Sequence, residues 1–547
     1  MKVCPLSIWI VFVSLSVQSF AAVALMTSTS ATRNEAGHIA SGLALWKNGD
    51  VWLYCVNPPL AKMVSVIPLV MLSDVPSDCV DIARRNGSRL EFRVGHLWSE
   101  ECGVFFHKYI VLSRLSGIAW LWAGGFLVYS LGVTLVNDRL GVFATLLWSV
   151  DPLVISHGAL ATSDMPVTVA ILLLTHVGVC WLIDDTSSHL DLQYAVALGI
   201  CLGLASILKF TGLLGVFIVI AVFMARVFLR KTGVLKALKD CGIVFFATWA
   251  VVWMGYGLNG IGGRLSELHL QSELFNSIPF ITSLIKSDVA AQIPHVLPPA
   301  FVVGLDLQQL DFEGSQLSYM CGQASLTGWS YYYFYGLAVK TPVGHLILYL
   351  LGIAVMATRW RSLDSLRAFA LLVPLALILG AASLKSGFTN HVRYVLPAIP
   401  FLHLVGASTV VARIDTKVSA VLSRMLTLLV LSSMVSVMLA YPNLLGYFNY
   451  PSGGVANGWW HLADSNVDWG HDLIRLRHWI DRQPKNRRVA VDIYHHIDLG
   501  VYLDRRCVPR QNATHLVVDA YTMMNSPSLR AENSQCRIGS SLFVFEL

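Results

Sequence analysis

Apolar runs long enough to cross a bilayer recur along most of this chain, and they exclude any fold that relies on water as its main solvent. Reading runs of about 17–25 residues as spans predicts helices near 6–27, 110–134, 140–158, 165–184, 192–208, 211–226, 241–259, 341–358, 368–384, 395–412 and 424–441. That makes roughly eleven transmembrane helices. Composition agrees: hydrophobic residues make up 55% of the 547 and charged residues 13%, about half the charged share of soluble domains. The expected fold class is a polytopic α-helical membrane protein.

Lys and Arg placement sets the orientation. With Met1-Lys2 inside, the inner loops hold Arg139; then Arg226, Arg230, Lys231, Lys236 and Lys239; then Arg359, Arg361 and Arg367; then Arg413, Lys417 and Arg424. One inner loop, 184–191, is acidic and fits less well. An odd number of spans places 28–109, 260–340 and 442–547 on the outer side. The expected location is a bacterial inner membrane with the site outside, or an endoplasmic reticulum membrane with a lumenal site. Met1-Lys2 followed by an apolar run ending in Ser19-Phe20-Ala21-Ala22 also resembles a cleavable signal, but that run exceeds the usual core of about 7–15 residues.

Six of the ten cysteines, Cys55, Cys79, Cys102, Cys321, Cys507 and Cys536, fall in outer segments, where disulfides are permitted. Cys507 with Cys536 is the first pair to test. No CxxC or His/Cys metal spacing is present, and inner loops account for the net charge of +6, so no nucleic-acid partner is indicated. The sequons at Asn86 and Asn512 both fall on the outer side.

The first outer loop is partly amphipathic, and segments 38–46 and 60–72 are expected to lie along the interface. The aromatic run 329–335 in the second outer loop reads as an interfacial belt. Residues 1–441 are read as the transmembrane domain. Beyond Tyr441-Pro442 the composition becomes that of a soluble chain, with strand-like runs at 489–494, 516–520 and 541–545. Residues 442–547 are therefore expected to form a small extracytoplasmic α/β domain. Deep ionisable groups are few, Asp151 before Pro152 being the clearest, which argues against a transporter.

Topology gathers dispersed polar residues on one side. Glu35 and Lys62 lie in the first outer loop, Arg114 opens the second span, Asp164 the fourth and Lys340 the eighth; Lys209 closes the fifth, and His391 with Arg393 precedes the tenth. A lone Lys or Arg at a helix end usually snorkels to headgroups, and a lone carboxylate at a helix start is usually a cap. Two carboxylates and several cations on one rim form a candidate site. Segment 464–470 reads more plainly as a helix start capped by Asp468.

These residues carry a family resemblance. A carboxylate just after the first span (Arg33-Asn34-Glu35-Ala36-Gly37-His38), the segment Asn57-Pro58-Pro59-Leu60-Ala61-Lys62, Arg114, and Ser163-Asp164-Met165-Pro166 resemble the GT-C membrane glycosyltransferases. Similarity is greatest to the protein O-mannosyltransferases and the lipid A aminoarabinose transferases. Lys209-Phe210-Thr211, Val339-Lys340-Thr341-Pro342, Arg393-Tyr394-Val395-Leu396-Pro397 and Asp464-Ser465-Asn466-Val467-Asp468-Trp469-Gly470 extend the resemblance over most of the chain.

The resemblance implies a sugar donor carried on polyprenyl or dolichyl phosphate, such as a mannosyl donor used in protein glycosylation, and an inverting transfer to an acceptor hydroxyl of a protein, lipid or glycan. The implied roles are Glu35 as base, with Asp164 the second carboxylate; Lys62, Arg114, Lys340 and Arg393 on the donor phosphate; and His38, Asn57, Lys209, His391 and Tyr394 on substrate. One departure stands out. The resembled families carry Asp-Glu where this chain has Asn34-Glu35, and Asn57 stands where the mannosyltransferases carry His. Asn cannot act as a base, so Glu35 has taken the role, Asp164 has taken it, or activity is lost. A divalent cation at the carboxylates is left open; no other cofactor is implied. A lipid or small-solute transporter and an inactive binding relative remain the alternatives.

Overall fold

The computed structural model describes residues 4–547 except 73, 77–88, 185–187, 280–291, 315–316, 359–364, 385–389, 412–415, 485, 504–506, 527 and 530–533. Cys79, the Asn86 sequon, Arg359, Arg361 and Arg413 fall outside the described residues. Among the described residues, seven helical stretches are long and apolar enough to cross a membrane: Pro5–Ser28, Leu90–Leu135, Asp164–Ile183, Leu190–Leu208, Phe210–Phe228, Val234–Gly255 and Val421–Ala440. The chain is an integral membrane protein.

The expected span at 140–158 is instead two helices, Asp138–Ser149 and Pro152–Gly158, bent by 65°. Pro152 lacks the N–H that would continue the first helix, and the Asp151 carboxylate accepts from Leu153 N and Val154 N to start the second. Val343–Thr358 and Ala370–Leu384 are apolar but shorter than the other spans. The expected span at 395–412 is broken: a 3₁₀ segment Val392–Ala398, an α-helix Ile399–Ala407 and a second 3₁₀ turn Ser408–Val411. Pro397 and Pro400 remove two backbone donors there.

After the first membrane helix, the segment expected as the first outer loop folds into the helices Glu35–Asn48, Pro59–Ser65, Ile67–Val70 and Leu90–Cys102. Pro59 at the start of its helix and Gly49 in the left-handed region at the end of the longer one fit their positions. Four strands, β3 Val489–Asp492, β4 His515–Asp519, β5 Cys536–Ile538 and β6 Leu542–Glu546, form a sheet in the order β3-β4-β6-β5. An antiparallel hairpin of β1 Ser318–Met320 and β2 Gln323–Ser325 precedes it in the chain. The β3–β4 pair is parallel and the others antiparallel. Three of these strands match the strand-like runs of the sequence; β5 had no visible alternation.

One apolar cluster joins the sheet to the outer-loop helices through Trp98, Phe106, Leu473, Tyr502 and Val517. Backbone bonds clasp the same layers: Ser30 N donates to His471 O and Arg33 N to Trp469 O. Cys507 bridges Val489 beyond the β3 edge, whereas Cys536 lies in β5 at the opposite edge. Roughly four inter-strand spacings, near 19 Å, separate them, well beyond disulfide reach.

Candidate active site

A cavity of 660 Å³ lies between the outer-loop helices, the ends of the membrane helices and segment 464–470. One part of its wall is polar, with Asn34, His38, Asn57, Asp164, Lys209, His391, Arg393, Tyr394 and Asp464. Another part is apolar: Phe217 and Ile378, Ala381 and Ala382 come from the helices Gly215–Phe228 and Ser365–Leu384, with Leu213 and Leu214 beside them.

Asp164 begins its membrane helix and is buried; Lys209 Nζ pairs with its Oδ1, and Arg393 Nε stands 3.8 Å from Oδ2. Lys209 follows the Ser188–Leu208 helix in extended conformation, which turns its side chain across to Asp164. The Arg393 guanidinium lies 3.8 Å over the Trp469 ring, and its buried Nε and Nη1 have no hydrogen-bond partner among the described residues. Arg393 thus lines the cavity as a cation held between the Asp164 carboxylate and the Trp469 ring, and a guanidinium at a cavity wall suits a planar or tetrahedral oxyanion.

Asp464 borders the cavity from the opposite layer. Its backbone has φ +51°, the left-handed region where non-glycine residues are rare. Oδ1 accepts from Arg33 Nη1 at 3.1 Å. Burial opposes its charged form, but His391, Arg33 and Arg393 together hold the Asp464 carboxyl below the usual range. Arg33 also meets Asp519 at 2.9 Å and Asp468 at 3.6 Å. The guanidinium thus occupies the centre of a three-carboxylate cluster, the place a divalent cation would take, so these residues do not fit a metal ion while Arg33 is there.

Four of the residues expected in the site are elsewhere. Glu35 is fully buried and turned away from the cavity. Both its oxygens are taken: Arg114 Nε and Nη2 bind them at 2.8 and 2.7 Å, Thr32 N donates to Oε2 and Ala161 N to Oε1. Arg114, equally buried, also donates to the carbonyls of Met26, Thr29 and Ser30. The pair ties the end of the first span to the loop before Asp164. Lys62 lies behind the cavity wall, donating to Tyr54 O at 2.7 Å, and burial lowers its pKa to about 7. Lys340 donates to Leu445 O at 3.0 Å and to Asn466 O, and burial lowers its pKa likewise to about 7. The other expected residues, Asp164, Arg393, His38, Asn57, Lys209, His391 and Tyr394, all line the cavity.

The sequence reading missed Asp464, Arg33 and Trp469 as cavity residues. Segment 464–470 is not a capped helix start: Asp468 is buried, its Oδ1 accepts from Gly470 N, and the helix begins at Leu473. The run 329–335 is not a simple belt either. Its helical phase buries Tyr332 and Tyr333, the latter lining the cavity, while Tyr331 and Phe334 stay exposed.

No protein-family model and no curated protein matches the sequence. Solved structures do match. ArnT from Cupriavidus metallidurans bound to undecaprenyl phosphate superposes with a TM-score of 0.51 at 12% identity, covering 98% of this chain and 97% of that chain. The apo form of the same ArnT gives the same values. The oligosaccharyltransferase from Archaeoglobus fulgidus in its apo form gives a TM-score of 0.47 at 12% identity, over 93% of this chain and 69% of that chain. The fold is that of the GT-C membrane glycosyltransferases, the class read from the sequence. Among them it matches ArnT over nearly the full length of both chains.

Proposed function

We propose that this chain is a glycosyltransferase that moves one sugar from a polyprenyl-phosphate donor to an acceptor hydroxyl at the outer membrane face. The observation that carries the reading is the cavity itself, which joins the cations Lys209 and Arg393 to an apolar wall on two membrane helices. A lipid phosphate presents that combination, an anion at headgroup level and a hydrocarbon chain in the bilayer. The ArnT structure similar in fold is described as bound to undecaprenyl phosphate.

Arg393 and Lys209 pair with the donor phosphate, and the tail runs along Phe217, Ile378 and Ala382. Asp164 fixes both cations in place. Glu35, with its oxygens filled, is replaced as base by Asp464, whose Oδ2 takes the acceptor proton. The acceptor oxygen forms its bond to the anomeric carbon from the side opposite the phosphate, inverting it. The carbon–oxygen bond to phosphate breaks, and its electron pair leaves on the lipid phosphate, stabilised by the cations. His38, Asn57 and Tyr394 border the sugar space. Burial and the nearby Lys62 lower the His38 pKa to about 3, so it is neutral and can both donate and accept.

The test uses full-length protein in nanodiscs. Mass spectrometry of co-purified lipid should find a polyprenyl phosphate or its sugar, and Asp464→Asn should lower transfer about 100-fold while donor affinity stays within about 3-fold. Normal turnover in Asp464→Asn would move the base role to Asp164. Absence of donor binding together with protein-dependent solute flux in proteoliposomes would favour a transporter.

A further inference from the structure

Inside the bundle, away from the cavity, Asp151, His345 and His403 converge. One ring nitrogen from each histidine and one carboxylate oxygen lie within 4.8 Å of one another, and all three residues are buried. They come from three separate segments: the break before Pro152–Gly158, the helix Val343–Thr358 and the helix Ile399–Ala407. An ionisable residue in such a place is costly unless its charge is compensated. Among the described residues, the ion-pair partner of Asp151 is His403, at 3.2 Å, a group that need not be charged.

The geometry points to a binding site for a divalent transition-metal ion of the zinc type, held by Asp151, His345 and His403. Two ligands on a tetrahedral ion with bonds near 2.0 Å stand roughly 3.3 Å apart. His403 Nε2 and Asp151 Oδ2 are already 3.2 Å apart. His345 Nε2 stands 3.1 Å from the carbonyl of Leu147, a separation that suits two neighbouring ligands of one ion. The other side of His345 is oriented by Ser433 Oγ, 2.9 Å from Nδ1, the outer hydrogen bond that fixes a ligating imidazole.

A second observation points the same way. His403 Nδ1 and the hydroxyl of Tyr349 are both buried without a hydrogen-bond partner, and their rings are 6.0 Å apart. With Nε2–H donating to Asp151, Nδ1 is an unused acceptor. Binding of the ion at Nε2 moves the ring proton to Nδ1, which then donates towards Tyr349. The imidazole–carboxylate donor set favours zinc-like ions over magnesium or calcium. Bound there, the ion staples the 65° break to two later helices and holds the short helix that leads to Ser163 and Asp164. The role is structural, and it does not depend on the transfer chemistry proposed above.

Full-length protein in nanodiscs, stripped with a chelator and then loaded with Zn²⁺ and washed, should retain about one zinc per chain by plasma mass spectrometry. Loading with Co²⁺ should give visible d–d bands from a low-coordinate nitrogen–oxygen site. His403→Asn keeps an N–H towards Asp151 but removes the imidazole; it and His345→Asn should lower zinc retention at least tenfold and abolish the rise in melting temperature on zinc addition. Asp464→Asn should retain the metal. Wild-type protein that holds no zinc after loading, or stoichiometric zinc in His403→Asn or His345→Asn, overturns the site.

Discussion

Neighbouring positions at a helix start can belong to different environments, because each residue turns the side chain by about 100°. Asn34 faces the cavity, and Glu35, the next residue, is sealed into an ion pair with Arg114. Removing one partner of a buried pair leaves the other charge uncompensated, so Arg114→Ala should cost about 3–5 kcal/mol of stability. A thermal melt in nanodiscs measures this, and an unchanged melting temperature with lost turnover would return Arg114 to the chemistry. At Arg393 the expectation reverses. Arg393→Ala should weaken lipid-phosphate binding by about 1.5–3 kcal/mol, and Arg393→Lys should recover only part, since one point charge replaces two planar donors. His495 supplies a pH test. Its Nε2 is bonded to Ala31 O and its Nδ1 accepts from His496 N, and burial together with Arg33 lowers its pKa to about 3. The unfolded chain therefore binds the extra proton between about pH 6.5 and 3. Stability should be complete above pH 6.5 and fall as pH drops through that window, by up to about 1.4 kcal/mol per pH unit from this group. His495→Gln should flatten the slope of melting temperature against pH in that range.

Helix contacts in the bundle depend on residues without side chains at crossing points. A Cβ on Gly352 would meet the Val405 carbonyl oxygen at 2.0 Å, so Val343–Thr358 and Ile399–Ala407 approach backbone to backbone there. Close approach of this kind drives helix association in lipid, where apolar burial gives little. Gly352→Val should lower the melting temperature sharply. Gly380→Val is the matched control, because a Cβ there meets nothing within 4 Å, and an equal loss in both variants would remove the argument. The broken helices obey the same local logic. Pro152, Pro397 and Pro400 are plain in the sequence, yet hydropathy alone reads through them, since a proline leaves the apolar composition of a window almost unchanged.

For the molecule as a whole, the charge bias across the loops predicts that a reporter fused after Arg361 is cytoplasmic and one fused after Leu547 is external. A cytoplasmic C-terminus would separate the sheet from the lipid-phosphate face and undo the proposed transfer site. The sheet is held to the helices beside the cavity through its packing on Trp98 and Phe106 and through the clasp between 30–33 and 469–471, and Tyr494 and His496 after β3 line the cavity. That contact joins residues more than 400 positions apart, and it makes the outer segments part of the site.

The sequence by itself determined the solvent of this protein, the approximate places of its helices, three of the four strands of the larger sheet, and seven residues that line the cavity. Those features follow from local quantities: apolar length, alternation, loop charge and the residue types at helix ends. Tertiary structure alone decided which carboxylate reaches the cavity. Glu35 and Asp464 look alike in a sequence, but Arg114 and two backbone amides fill every acceptor of the first, while the second, held in a left-handed turn, borders the cavity with its side chain 27% exposed. The number of partners each side chain finds is set by segments that fold back from far along the chain, and no local pattern encodes it.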